Sequence, residues 1–324
     1  MALYDSVSAL ELEVTGFSTE RRETAVSSEF TRVTTTVVLE GEGEVGMGED
    51  VTYQAEQHDD FPELRERGSM TLAEFSPRLD AYALEDYRRW AFESAALDLA
   101  LRQHGLSLGA AVGLEYRPVR FVVSTRHEIG PWLELYPALE LKLDPTSEWT
   151  DGRMRKIAAT GRVRVLDLKG QYVGTPVDQP PDPVLYSAVV ETFPEAIIED
   201  PALTNETRAA LRGAEDRFSW DAPIHSIDDI RRLEREPRFL NIKPSRFGTV
   251  QRLFAALDFC NEHGIAMYGG GQFELGVGRA QIQALASLFY PDAPNDVAPS
   301  TYNEGGARPG LPVSPLPPPD RLGL

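Results

Sequence analysis

Five short apolar segments in the second half of the chain end in a charged side chain. These side chains are Lys142 in ALELKL, Asp167 in RVRVLD, Glu199 in AIIED, Asp221 in FSWD and Lys243 in FLNIK. They are separated by 25, 32, 22 and 22 residues, close to the length of one strand, one helix and their loops. If the segments are parallel strands of one barrel, all five side chains meet at its C-terminal mouth, where barrel enzymes carry out their chemistry.

The residue types at these positions predict a metal centre flanked by two bases. Three converging carboxylates, Asp167, Glu199 and Asp221, repel one another unless a cation lies between them, and an all-oxygen set suits Mg²⁺, with Mn²⁺ as a substitute. Lys142 and Lys243 come from opposite sides of the barrel and would flank a substrate there. We expect desolvation and the cation to lower their pKa, since a lysine acts as a base only when neutral. A single charge of this kind is ordinarily solvated or paired, but five in register favour an active site.

The elements that position these side chains follow from the pattern after Arg117. Strand-then-helix units repeat there, which predicts a parallel sheet with both faces covered and, from their number, a closed (β/α)-barrel. Only RHEIGPWLELYP joins the first two strands, and this is too short for a full helix with its loops. We therefore predict an α/β fold, a modified TIM barrel over residues 117–300 whose first crossover is reduced to a turn or a single helical turn.

The remaining segments are predicted to cover the barrel. Residues 1–116 combine β-branched alternation in FTRVTTTVVLEGEG with a helical pattern over Leu84–Gln103, which indicates an α+β capping domain. Residues 301–324 are rich in proline and cannot form a barrel helix. We expect them to return to the cap as an extended strap, with a disordered tail as the alternative.

Composition narrows the functional classes. The formal charge is −19, from 51 acidic and 32 basic residues, and such a surface disfavours nucleic acid and anionic lipid. The chain has one cysteine and five histidines without zinc-type spacing, so disulfides and a histidine-based metal site are not expected. Without a signal-peptide pattern or a run of about 18 apolar residues, we expect a cytoplasmic protein whose partner is a small molecule.

Beyond these patterns, the stretch from Trp220 to Leu288 resembles the C-terminal half of enolase-superfamily barrels. NIKPSRFG, GGGQFELGVGRA and ALASL are its most specific tracts, and ELKLDP, VLDLKG, IIEDP, FESAALDLAL and GEGEVGMGED extend the similarity over most of the chain. Within the superfamily the sequence is most similar to the muconate-lactonizing-enzyme-like branch, in particular to o-succinylbenzoate synthases and N-acylamino acid racemases. The resemblance also implies dimers or larger assemblies.

The resemblance assigns roles that agree with the reading of the residues. Asp167, Glu199 and Asp221 match the three Mg²⁺ ligands of the family, and Lys142 and Lys243 match its acid/base pair. In the family the metal holds a substrate carboxylate and stabilises the enediolate that forms when the α-proton leaves. Glu274 matches the glutamate of the family's seventh strand. The alternative interpretation is that it only supports the site, as a hydrogen-bond partner of the residues around the metal.

The chain departs from the family pattern around these residues. Glu140 stands at the first lysine of the Lys-x-Lys strand, Lys169 replaces an asparagine after the first ligand, and Ala222-Pro223 replaces Glu-Ser after the third. We expect Glu140 and Lys169 to form a compensating ion pair beside the metal. His225, four residues after Asp221, is interpreted as structural rather than catalytic.

Three functions remain open from the sequence. The first is β-elimination of water as in o-succinylbenzoate formation, and the second is racemisation of N-acylamino acids, which two opposed lysines equally permit. The third is a degenerate barrel that only binds a ligand. Dipeptide epimerisation is disfavoured because PNDVAPSTYN lacks a paired-aspartate motif. We expect cap loops around Gly16–Thr24 and Glu56–Leu64 to set the specificity.

Overall fold

The N-terminal part of the chain folds as antiparallel strands with helices packed against them, in a computed structural model that describes residues 2–26, 30–175 and 177–324. Its strands are β1 Glu11–Val14, β2 Gly16–Ala25, β3 Thr31–Gly41, β4 Glu44–Asp50 and β5 Gly68–Thr71. Its helices are α1 Asp5–Ser8, α2 Leu72–Arg78, α3 Asp86–Gln103 and α4 Leu108–Val112. The sheet has the order β2-β3-β4, and β1 pairs with β5 in a second, two-stranded sheet.

Close packing of α3 on β4 depends on two glycines of that strand. A Cβ atom at Gly46 would lie 2.3 Å from the carbonyl oxygen of Ala95, and one at Gly48 would lie 2.1 Å from that of Ala91. Real side chains do not tolerate such distances to backbone, so only glycine lets the helix approach the sheet this closely. The GEGEVGMGED tract therefore fixes the packing of the capping domain.

Seven parallel strands with alternating helices form the second part. The strands are β6 Val123–Thr125, β7 Leu141–Leu143, β8 Val163–Asp167, β9 Ile197–Glu199, β10 Phe218–Trp220, β11 Phe239–Ile242 and β12 Ala266–Gly269. The helices are α5 Gly130–Leu135, α6 Asp151–Ala158, α7 Pro183–Thr192, α8 Asn205–Ala210, α9 Ile227–Arg232, α10 Val250–His263 and α11 Val277–Phe289. The strands pair in chain order from β6 to β12, as consecutive β/α units of one barrel do.

The seam between the first and last strands is closed by two residues rather than by an eighth strand. Asn295 bridges to Phe121 and Asp296 bridges to Gly270, both in parallel register. The amide of Val122 donates to the carbonyl of Asn295 at 2.8 Å, and the amide of Asp296 donates to the carbonyl of Gly269 at 2.7 Å. The curled sheet therefore closes on itself through a very short segment.

The fold confirms the α/β barrel with a capping domain and its shortened first crossover, which is the six-residue helix α5. The expected loop at Gly16–Thr24 is wrong, because these residues form strand β2. They pair with β3 from Gly16 opposite Glu40 to Ala25 opposite Thr31 and are exposed along most of their length. The tail pairs with the rest of the chain at Leu316, which bridges to Val119, and at Gly323, which bridges to Ser107.

Candidate active site

Three carboxylates meet at the C-terminal ends of neighbouring strands. Asp167 ends β8, Glu199 ends β9 and Asp221 directly follows β10, and Asp167 lies opposite Glu199 in the strand register. All three are fully buried, and each offers an oxygen atom within 4.8 Å of one from the other two. The spacing of the strand ends thus predicted correctly that these side chains converge.

Lys142 lies in the middle of β7 and points into the carboxylate cluster. Its ammonium group contacts Glu199, and it lies 3.4 Å from Asp167 Oδ2 and 3.5 Å from Asp296 Oδ2. Burial opposes the charged form, but attraction to Glu199 and Asp167 outweighs it and raises the pKa of Lys142 well above its usual value. This direction is opposite to the one expected from desolvation alone.

Lys243 approaches the same cluster from the far side. It directly follows β11, and its Nζ lies 2.8 Å from Asp221 Oδ2. Lys142 and Lys243 both line a cavity of about 370 Å³ together with Lys169. Since β7 and β11 are separated by three strands, the two catalytic candidates face the cavity from different sides.

Further polar side chains hold the carboxylates, and sequence reasoning did not single them out. Asp221 accepts hydrogen bonds from Arg246 Nη1 at 2.8 Å and from the Tyr172 hydroxyl at 2.8 Å. Glu199 accepts one from the Tyr268 hydroxyl. Burial raises the pKa of Asp221, but Arg246 and Lys243 overcome this and hold it well below its usual value. In the sequence, only the position of Arg246, three residues after Lys243, indicated that it could reach the site. A tyrosine in an apolar segment, such as Tyr268, cannot be distinguished from a core residue.

Asp200, next to Glu199, organises the turn that follows β10. Its φ of 48° is in the left-handed region, and its two carboxylate oxygens accept the amides of Asp221 at 2.8 Å and Ala222 at 2.9 Å. Burial raises the pKa of Asp200 to about 7. This carboxylate therefore fixes the backbone of Asp221 rather than facing the cavity with it.

The predicted ion pair between Glu140 and Lys169 is wrong. Glu140 precedes β7, two residues before Lys142, and its carboxylate binds Arg120 at 2.6 Å and Arg164 at 2.7 Å. These arginines lie near the N-terminal ends of the neighbouring strands. Glu140 therefore belongs to a charge network at the opposite end of the strands from the carboxylate cluster.

Lys169 instead folds back onto the first carboxylate. Its ammonium group contacts Asp167 Oδ2, and its backbone amide donates to Asp167 Oδ1 at 3.1 Å. The residue has a φ of 56°, and its Nζ lies 4.9 Å from the centre of the Tyr172 ring. Although burial raises the pKa of Asp167, Lys169 and Lys142 hold it well below its usual value.

The capping domain holds the loop after β12 from two sides. The buried guanidinium group of Arg32 donates to the carbonyls of Val51, Thr52, Gln272 and Phe273 at 2.7–3.1 Å. Glu49 accepts the amides of residues 275, 276 and 278, at the start of α11, at 2.7–2.9 Å. The cap therefore determines the conformation of a loop that contributes to the mouth of the barrel.

Glu274, in that loop, serves the loop rather than the carboxylate cluster. It lies 3.0 Å from Arg279 Nη2 and accepts the amide of Gln272 at 2.6 Å. His225 binds Asp86 of the cap at 3.2 Å. Asp86 in turn pairs with Arg252 at 2.9 Å, which agrees with a structural role for the histidine.

Cap and barrel together enclose the space above the cluster. Val26 and Tyr53 of the cap line the 370 Å³ cavity together with the three lysines of the barrel. A second cavity of about 900 Å³ adjoins it and shares Val26, Ser124 and Arg126. Both volumes suit a small molecule.

Family models match both parts of the chain. The "Domain of unknown function (DUF8230) C-terminal domain" matches residues 115–304, and the corresponding N-terminal domain matches residues 5–111. The chain belongs to the DUF8230 family. Among residues 2–26, 30–175 and 177–324 of this DUF8230 protein, no helix is both long and apolar enough to cross a membrane.

Known enzymes are similar to this DUF8230 protein in sequence and in fold. An N-succinylamino acid racemase from Amycolatopsis sp is 28% identical over 288 residues, which cover 79% of this chain and 76% of that protein. The o-succinylbenzoate synthase of Bacillus subtilis (strain 168) is 40% identical over 83 residues, and the chain spans only 22% of its length. A dipeptide epimerase from Methylococcus capsulatus, complexed with Mg and the dipeptide L-Arg-D-Lys, superposes with a TM-score of 0.71 at 16% identity, covering 90% of this chain and 92% of that chain.

These similarities confirm the resemblance to the enolase superfamily and its capped barrel fold. The relatives and structural neighbours include o-succinylbenzoate synthases, an N-succinylamino acid racemase, dipeptide epimerases and a muconate lactonizing enzyme, so the expectation of an enzyme is confirmed. The buried acidic cluster is suited to a divalent metal.

Proposed function

We propose that the protein is a Mg²⁺-dependent enzyme that removes the proton from the carbon next to a substrate carboxylate. The observation that carries this proposal is the cluster of Asp167, Glu199 and Asp221, buried and mutually within 4.8 Å, between two lysines on one cavity. Three carboxylates without other donor types fit a hard divalent ion. Mg²⁺ is the proposed ion, and Mn²⁺ would substitute for it.

Asp167, Glu199 and Asp221 would hold the metal. A bound divalent ion supplies positive charge that attracts the substrate carboxylate, acidifies its α-carbon and lowers the pKa of the nearby ammonium groups. The hydroxyl of Tyr172 and the guanidinium group of Arg246 donate to Asp221 and orient its carboxylate.

The two lysines would transfer the proton. Lys142 contacts Glu199, and Lys243 contacts Asp221. Both Nζ atoms therefore lie at the edge of the proposed metal position. One neutral lysine takes the α-proton, and the other, on the far wall of the cavity, stays protonated. A substrate held between them is therefore exposed to a base on one face and an acid on the other.

The outcome of proton removal is proposed to be β-elimination of water, as in o-succinylbenzoate formation. The alternative is racemisation of an N-acylamino acid, and one observation favours it: the relative that covers 79% of the chain is named an N-succinylamino acid racemase. The lysine geometry serves both reactions. Elimination needs a base for the α-proton and an acid for the departing hydroxyl group, and racemisation needs a base on one face and a protonated lysine that returns a proton to the other face. The substrate is a small carboxylate in either case.

The test is exchange of substrate α-protons with deuterated water, followed by NMR. The substrates are N-succinyl amino acids of both configurations, acid sugars and the cyclohexadiene precursor of o-succinylbenzoate. Exchange that depends on Mg²⁺ supports proton abstraction, with loss of water identifying elimination and loss of optical purity identifying racemisation.

The metal itself is tested separately by calorimetric titration. The wild-type protein and an Asp167→Asn, Asp221→Asn double variant are compared for Mg²⁺ uptake. Equal uptake by both, or uptake by neither, would refute the proposed metal centre and leave a barrel that only binds a ligand.

A further inference from the structure

Lysine is concentrated at the carboxylate cluster. Of the 32 basic residues in the chain only four are lysines, at positions 142, 156, 169 and 243. Three of these four line the 370 Å³ cavity, and the fourth, Lys156, is exposed on α6. Since arginine is used at almost every other basic position, the third lysine of the cavity requires an explanation beyond surface charge.

Lys169 is held in place more firmly than a surface lysine. Its side chain is 13% exposed, and its ammonium group contacts Asp167 Oδ2 and lies over the Tyr172 ring. The left-handed backbone, with a φ of 56°, turns the side chain back towards the residue two positions earlier. A non-glycine residue adopts this conformation at a cost, and the ion pair with a fully buried carboxylate offsets it.

Each carboxylate of the cluster has its own cation. Lys169 contacts Asp167, Lys142 contacts Glu199, and Lys243 lies 2.8 Å from Asp221. Lys142 and Lys243 are the proposed acid and base, so their contacts have a catalytic reason. The proposed mechanism gives Lys169 no part in proton transfer, and its ammonium group lies against Asp167 Oδ2, an oxygen of a proposed metal ligand.

We propose that Lys169 is a built-in counter-ion of the acidic cluster, which competes with the divalent metal for Asp167 and so keeps the metal weakly bound and exchangeable. This inference rests on the part of the proposed function that places a divalent metal at the cluster. When the metal is absent, the ammonium group neutralises a buried carboxylate and stabilises the fold. When the metal binds, the same group is displaced and its positive charge opposes the ion.

The proposed competition predicts two opposite effects of removing the charge at position 169: tighter Mg²⁺ binding and lower stability without the metal. A neutral residue at position 169 removes repulsion from the metal, which should tighten Mg²⁺ binding by about tenfold or more. The same change leaves Asp167 with less positive charge nearby when no metal is bound, so the thermal midpoint in chelator should fall. A residue that only packs against Tyr172 would not couple these two effects in opposite senses.

The experiment compares four variants with the wild-type protein. Lys169→Asn removes the charge with a residue that tolerates a positive φ, Lys169→Met removes it at similar side-chain length, and Lys169→Arg retains it. Lys156→Asn is the matched control on the surface. Mg²⁺ affinity is measured by calorimetry, and thermal unfolding is followed by circular dichroism in chelator and in saturating Mg²⁺.

We expect Lys169→Asn and Lys169→Met to bind Mg²⁺ more tightly, to unfold at lower temperature in chelator and to recover in saturating Mg²⁺, while Lys169→Arg and Lys156→Asn resemble the wild type. Folded neutral variants with unchanged or weaker affinity would overturn it while leaving the metal centre intact. Absence of Mg²⁺ uptake in every protein would overturn both this inference and the proposed function.

Discussion

Lys142 and Lys243 are the residues on which the proposed chemistry depends. We expect Lys142→Ala and Lys243→Ala each to lower α-proton exchange by about 10²- to 10⁴-fold, the usual contribution of a general acid or base. Because Lys142 also neutralises the buried Glu199, the comparison should be made in saturating Mg²⁺ and checked by circular dichroism. Lys156→Ala is the control, and a wild-type exchange rate in either active-site variant would contradict the two-lysine mechanism.

Glu140 should contribute to the stability of the protein and not to catalysis. Burial raises its pKa, but its bonds to Arg120 and Arg164 overcome this and lower it. The stabilisation it supplies is therefore present above the pKa of an unfolded glutamate, about 4.3, and is lost as the pH falls through the lower folded value. We expect Glu140→Gln to reduce the free energy of unfolding by about 1–3 kcal/mol at pH 7.

Urea denaturation of both proteins between pH 7 and pH 3 tests this. The difference between wild type and Glu140→Gln should narrow below about pH 4. A difference that is constant with pH would contradict stabilisation by the pairs with Arg120 and Arg164. A large loss of Mg²⁺ affinity in Glu140→Gln would instead place Glu140 beside the proposed metal site.

The sequence predicted residues at strand ends better than their partners. Lys142, Asp167 and Lys243 could be placed because the C-terminal ends of parallel strands share one edge, and this follows from spacing alone. Glu140 was paired wrongly because two residues along a short strand move a side chain about 6.6 Å towards the other end of the barrel. The sequence does not show that Arg120 and Arg164, which bind Glu140, lie at the same height along the barrel axis as this residue.

Among the elements, the contact between cap and β12 loop is the one that the sequence did not reveal. Arg32, on β3, donates to two backbone carbonyls of that loop, at Gln272 and Phe273, and to two carbonyls after β4. Backbone partners of this kind leave no pattern in side-chain types. We expect Arg32→Met to lower the free energy of unfolding by at least about 3 kcal/mol, because several buried acceptors lose their donor. Arg32→Lys should fall in between, since one ammonium group cannot reach both sides.

Chemical denaturation measures this effect, with Arg21→Met as the control. Arg21 lies on the neighbouring strand with an exposed side chain, and its loss should cost less than about 0.5 kcal/mol. Equal stability of the two methionine variants would show that the cap does not depend on Arg32.

Strand β2 shows why an exposed element is hard to predict. The tract TERRET carries no apolar periodicity, because nearly all of β2 faces solvent. Its strand conformation comes from pairing with β3, where Val33 and Val37 are buried, and pairing is a long-range property. The barrel strands were easier, since each is a short apolar run between helical patterns.

For the whole molecule, the excess of acidic residues should make stability depend on salt. A net charge of −19 repels itself across the surface, and the screening length falls from about 30 Å at 0.01 M to about 3 Å at 1 M salt. We expect the thermal midpoint to rise by several degrees over this range of KCl, in the presence of chelator. A neutral osmolyte at equal osmolarity is the control, and a midpoint that falls or stays constant in KCl would contradict surface self-repulsion.

The short seam of the barrel has a consequence for its local opening. At Asn295 and Asp296 the ladder is only two residues long, whereas β11 and β12 pair over four. The side-chain amide of Asn295 is buried and adds hydrogen bonds to this short ladder, since its Nδ2 donates to the carbonyls of Arg120, Tyr290 and Ala293. The backbone amide hydrogens of Val122 and Asp296 should therefore exchange with solvent earlier than those of β11. Because Asp296 also contacts Lys142, local unfolding of the barrel next to this lysine should begin at the seam.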